Sequence, residues 1–301
     1  MNTRPRPILR RLAVTVSFAV AMLGTAVGVG AFGGTPMQEA AGGLLAADAT
    51  HLAPATPAFM LWSVIYVGLG AYCLWQWWDP ADARGIAVPA IASLLLNAAW
   101  LLTIQAGLLW LSVLVIAALL AVLGLLFHRT TTRPAGGLLE RLVVDGTFGL
   151  YLGWVSVATC ANIAAVLKGA GFEGFGAPAA LALAVLAVVA VIGIALTRAG
   201  HRPVAAPLAM VWGLVWIAVG RASDAPHSPA VAIGAAAAAA AAVIVVAALL
   251  ALRRPSARTP SALHASTQNP SALRSSAQNP SAQNASAARP VGRDRRPGGQ
   301  R

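Results

Sequence analysis

The sequence predicts an all-α fold, a polytopic membrane bundle of eight helices, and three observations predict it. Hydrophobic residues make up 58% of the 301-residue chain against 10% charged, with a mean hydropathy of +0.73. A soluble domain holds roughly half apolar and a quarter charged residues. Eight apolar runs reach or approach the roughly 20 residues needed to cross a hydrocarbon core. The basic residues fall in alternate loops between those runs, as expected when positively charged loops stay cytoplasmic.

The runs cover about 11–32, 58–78, 86–106, 108–127, 147–167, 177–197, 204–220 and 229–252. Only Gln105, Ala106 and Gly107 part the third from the fourth. Together these two are too long for one span, so they read as a tight hairpin. The first run follows RPRPILRR and has the basic and apolar parts of a secretory signal, but it exceeds the usual 7 to 15 apolar residues. It therefore reads as a retained helix.

With the N-terminus inside, nineteen of the twenty-one basic residues lie on the cytoplasmic side. Only Lys168 and Arg221 lie outside. Removing any one internal span would spoil this alternation, so count and charge support each other. The expected location is a bacterial cytoplasmic (inner) membrane, with both termini cytoplasmic. The formal charge of +12 does not indicate a nucleic-acid partner, because the basic residues neither share a face nor interleave with aromatics. The bilayer itself is the expected partner.

After Arg254 the composition turns to Pro, Ser, Ala, Asn and Gln, with a ten-residue repeat: PSALHASTQN, PSALRSSAQN, PSAQNASAAR. Such a segment buries too little apolar surface to offset its chain entropy, so 253–301 is expected to be a disordered cytoplasmic tail. Cys73 and Cys160 both lie in apolar runs and predict no disulfide.

Polar and aromatic residues inside the runs carry the functional information. In the second run Phe59, Trp62, Tyr66 and Cys73 share a helical face, while Trp75, Trp77 and Trp78 crowd the end and read as an interfacial belt. The third run sets Asn97 and Trp100 one turn apart. The fifth places Tyr151, Trp154, Ala158 and Asn162 on one stripe. An amide in hydrocarbon needs a partner, so Asn97 and Asn162 should face other helices or a cavity. Either each bonds across a helix seam, or the three elements converge into an aromatic cage with polar handles, the composition of a small-molecule site.

These elements, FMLWSVIY, LLNAAW and YLGWVSVATCAN in that order, resemble those of the translocator protein family: TspO, the tryptophan-rich sensory proteins and the peripheral-type benzodiazepine receptor relatives. Trp62 with Tyr66, Asn97 with Trp100, and Tyr151, Trp154, Val155, Ala158, Thr159 and Asn162 match the family's elements position by position. The chain departs from the family in two places: Pro57 is followed by Ala58 and Phe59 with no tryptophan upstream of Trp62, and Leu150 stands where the family has proline.

The resemblance covers about 10–167. It implies a five-helix unit (1–167) with a pocket beneath the first loop for porphyrins or other flat apolar ligands. Three additional transmembrane helices (168–252), with Trp212 and Trp216 one turn apart, are similar to those of the longer bacterial variants. The resemblance thus implies a binding or sensory protein with ligand residues Trp62, Tyr66, Asn97, Trp100, Tyr151, Trp154, Ala158 and Asn162; the alternatives are a passive permease and a purely structural membrane protein.

No cofactor is required by this reading, though a tetrapyrrole is a candidate ligand. Enzyme activity is not expected, because no acid or histidine lies near a span centre and the five histidines show no metal-ligand spacing. His51, in the outer loop near the expected pocket, is either an axial haem ligand or an exposed loop residue. Glu140 and Asp145 are expected to pair with Arg133 and Arg141. Small residues such as Gly24 and Gly28 permit close helix contact within a protomer or in a homodimer.

Overall fold

The computed structural model describes residues 7–31, 35–36, 39–79, 81–199 and 204–252. The chain divides into two units, Met1–Arg254 and Pro255–Arg301, and the second, with the expected disordered tail, lies outside the described residues. Eight helices are long and apolar enough to cross a membrane: α1 (Pro7–Gly28), α2 (Met60–Trp75, led in by a 3-10 turn Thr56–Phe59), α3 (Ala87–Gln105), α4 (Leu109–Thr132), α5 (Leu138–Gly169), α6 (Pro178–Leu196), α7 (Ala205–Ser223) and α8 (Pro229–Leu252). No strand occurs among the described residues.

The hairpin expected between the third and fourth runs is present. α3 ends at Gln105, and Gly107, with φ +71°, reverses the chain in a left-handed conformation that residues with a Cβ rarely adopt. Pro178 and Pro229 open α6 and α8 at the helix position where a missing N–H leaves no bond unmade.

α1 packs along α3. Its buried residues Val14, Ser17, Ala21, Gly24 and Gly28 recur at three and four, so one narrow face of small side chains meets the neighbour. A Cβ on Gly24 would stand 2.9 Å from that of Ala98. The α5–α7 seam is tighter still, since a Cβ on Gly153 would collide with the carbonyl oxygen of Ala206. Close backbone approach through small residues is the main source of helix association where lipid removes the hydrophobic drive.

Two apolar clusters result. One joins α1 to α5 and includes Ala206 and Ala209 of α7; the other joins α6, α7 and α8 and includes Val157 of α5 and Leu52. α5 and α7 belong to both.

Among the described residues, Arg84, Arg129 and Arg133 gather at one end of the bundle and Lys168 and Arg221 at the other. At one end Arg84 is buried between α3, α4 and α5, bonding Asp145 at 2.5 Å, Glu140 at 3.1 Å and the Thr130 carbonyl at 3.0 Å. This corrects the expected pairing with Arg133 and Arg141. Arg133 and Arg129 donate instead to the carbonyls of Arg84 and Gly85, while adjacent helix positions such as 140 and 141 do not face one another. A π-helical stretch, Arg141–Gly146, carries Asp145 into this network. At the same end Trp78 is 77% exposed and Arg11 lies over Trp77, as an interfacial belt requires.

Candidate functional site

The three aromatic elements meet. α2 brings Trp62 and Tyr66, α3 brings Asn97 and Trp100, and α5 brings Tyr151 and Trp154, each stripe set by three- and four-residue spacing. Trp62 is the hub. It stacks on Tyr66 (centroids 5.3 Å apart, planes at 15°) and lies 5.7 Å from Tyr151, 6.3 Å from Trp154 and 6.4 Å from Trp100. Phe59, on the lead-in turn, meets Trp154 edge-on at 5.9 Å, so it supplies a ring from the segment where the family's upstream tryptophan is missing. Cys73, expected on the same face, bonds instead to Thr15 of α1 at 3.6 Å, away from the cage.

The polar handles divide their roles. Asn97 donates to the Tyr66 hydroxyl at 3.1 Å, and Tyr151 donates to the Ser93 carbonyl at 3.4 Å. Asn162 donates to Ser112 of α4 at 3.0 Å. The Ser112 hydroxyl has one proton and spends it on the Leu109 carbonyl at 2.7 Å, which leaves the Asn162 carbonyl oxygen weakly served. The seam-bonding reading of both asparagines is thus partly correct. It leaves buried polar atoms over: Asn97 Oδ1 and the indole N–H groups of Trp100 and Trp154 have no hydrogen-bond partner. Buried polar groups are paired in the great majority of cases, so three orphans in one cluster are unusual; Trp100 and Trp154 line the cavity beside them, whereas Asn97, Tyr66 and Tyr151 do not.

Ala158 and Asn162 join Trp62, Trp100 and Trp154 around a cavity of about 40 Å³. That is far smaller than the pocket for a flat ligand that the sequence suggested. The difference has a physical cause: Leu44, Leu45, Thr50, Ala53 and Pro54, from the segment between α1 and α2, pack against the cage and line what space is left. Nothing in the sequence shows this, because the segment has neither helical nor strand periodicity.

The plug is tied down from several sides. Lys168, at the end of α5, donates to the Ala49 carbonyl. Arg221 of α7, fully buried, donates to the carbonyls of Ala47 (2.6 Å), Ala225 (3.0 Å) and Pro226 (3.3 Å). The Trp212 indole donates to Ala58 at 2.9 Å, and the Trp216 carbonyl accepts from the Ala55 N–H at 3.1 Å. The two basic residues that break the charge rule are therefore the two that pin this loop.

His51 lies near the cage but does not line it; it faces a separate groove between α5 and α6. Burial, then the charges of Arg221 and Lys168, hold its imidazole below the ordinary value of 6.5. Its neighbours suit a neutral loop histidine.

No curated protein and no solved structure matches the chain. The family model described as "TSPO-like protein" matches residues 11–250. This runs past the five-helix stretch, about 10–167, that carries the resemblance and reaches into all eight helices. With the cage elements in place on α2, α3 and α5, and with the match spanning most of the sequence, the chain belongs to the TSPO-like protein family.

Proposed function

We propose that this multi-pass membrane protein is a binding or sensory protein that takes up a flat, apolar, tetrapyrrole-like ligand between α2, α3 and α5. The observation that carries the reading is the convergence of four rings on Trp62, with three buried polar atoms left unpaired among these residues and Asn97. Trp62, Tyr66, Trp100, Tyr151 and Trp154 would sandwich the ring system. Asn97 and Asn162 would orient its polar substituents, and Ala158 leaves space beside them.

The closed cage defines what binding must overcome. Aromatic pairs contribute about 1 kcal/mol each beyond burial, so freeing Trp62 from four neighbours costs about 4 kcal/mol. A flat guest returns that by stacking on the same faces, whereas a bulky aliphatic one does not. The 44–54 segment must also lift from its carbonyl anchors, which makes uptake an induced opening.

Titrating the detergent-purified protein with protoporphyrin and following tryptophan quenching tests this. Saturable quenching is expected for the native chain, and Trp154→Ala combined with Asn97→Ala should weaken it about 100-fold. Unchanged quenching in that double variant removes these residues from the site. The closed packing itself favours the alternative of a purely structural bundle, which predicts that no porphyrin shifts the melting temperature even far above micromolar concentration.

A further inference from the structure

Beyond the cage, on the other side of the segment 49–52, the loop end holds a groove of about 690 Å³ between α5 and α6, a volume typical of small-molecule sites. Its two ends differ in chemistry. At the loop end stand Lys168, Thr50 and His51, with Glu173 exposed on the rim. Thr50, 8% exposed, has its hydroxyl buried without a partner, and His51 Nδ1 is likewise buried and unpaired. Lys168 is the one cation among the lining residues, facing the single acid Glu173, while Arg221 is buried behind the groove on the carbonyls of Ala47, Ala225 and Pro226. Farther down, the walls are Cys160, Ile163 and Ala164 of α5 and Ala182 and Val185 of α6, which offer no charge.

The groove does not end at that depth. Cys160 and Val185 also line a second groove of about 560 Å³ between α4, α5 and α6, whose walls include Leu120, Phe127, Leu152 and Val189. From Lys168 to Leu152 the track follows α5 for sixteen residues, about 24 Å at 1.5 Å per residue. That is the length of a long acyl chain, and the track carries charge at its outer end alone; farther down, Ser156 and Thr159 donate their hydroxyls to the Leu152 and Val155 carbonyls of their own helix.

We propose that this track is a second binding site, for an amphiphile with an anionic head and one extended apolar chain. The head lies against Lys168, His51 and Thr50, and the chain runs past Cys160 and Val185 toward Leu152. A wholly apolar guest would leave the Thr50 hydroxyl and His51 Nδ1 unpaired; a cationic head would meet Lys168. The carboxylate or phosphate chemistry fits both ends, and its source is either a free acid or a membrane phospholipid.

The test uses full-length protein in nonionic detergent, with tritiated palmitate as probe and hexadecanol as its uncharged analogue. Palmitate is expected to bind saturably and hexadecanol at least about tenfold more weakly. Lys168→Gln should weaken palmitate about tenfold while Lys168→Arg restores it, and Val185→Trp, at the junction of the two grooves, should abolish binding with an unchanged melting temperature. Equal binding of palmitate and hexadecanol, or native affinity in Val185→Trp, overturns the proposal. Competition by phosphatidylglycerol identifies the source: displacement of palmitate assigns the head to a lipid, and failure to displace it assigns the head to a free acid, with the site supported either way.

Discussion

At the scale of single residues, the sequence exposed the cage through spacing and hid it through context. Trp62, Tyr66 and Trp154 stand out because rings with polar tips recur at three and four in runs otherwise made of aliphatic residues. Whether Asn97 pairs or waits for a ligand depends on which of its two polar ends meets Tyr66, and only the assembled bundle decides that. His51 gives the residue-scale prediction. A base whose folded pKa is held below 6.5 binds fewer protons folded than unfolded, so stability is complete above about pH 6.5 and falls as the pH drops through the window beneath it. Melting temperatures in detergent should therefore decline from about pH 7 to pH 5 by more in the native protein than in His51→Gln. Equal declines would show that burial and the charges of Arg221 and Lys168 do not disfavour its protonation.

Among elements, the eight spans were legible because hydrocarbon thickness imposes a length and charge imposes a direction; both constraints act on composition alone. Partner choice was not legible, and Arg84 is the clearest case. It is the single basic residue of a short turn, yet it takes both acids of α5 while Arg129 and Arg133, at the end of α4, settle for carbonyls. Removing it strands two part-buried carboxylates beside each other, so Arg84→Ala should destabilise the bundle by about 3 kcal/mol. Arg141→Ala should change stability by less than about 1 kcal/mol. Thermal unfolding of the two variants side by side checks the difference. The α5–α7 contact was equally unreadable, since Gly149 and Gly153 in an apolar run carry no sign of the neighbour they admit until Ala205 and Ala206 are seen against them.

For the whole molecule, the alternation of charge predicts an orientation that chemistry can test. In a background with Cys73 and Cys160 replaced by alanine, Ser223→Cys should react in intact cells with a membrane-impermeant maleimide, and Pro134→Cys only after permeabilisation. The reverse pattern would invert the topology. The division at residue 167 into a five-helix unit and three extra spans follows the sequence resemblance, and the packing crosses it: α7 lies along α5, and its tryptophans hold the turn that delivers Phe59 and Trp62. Trp212 and Trp216 thus make the C-terminal helices the hinge post against which the first loop is hung. Shortening the chain to the smaller family size would remove the bonds of both tryptophans and leave the turn before α2 without its support from α7.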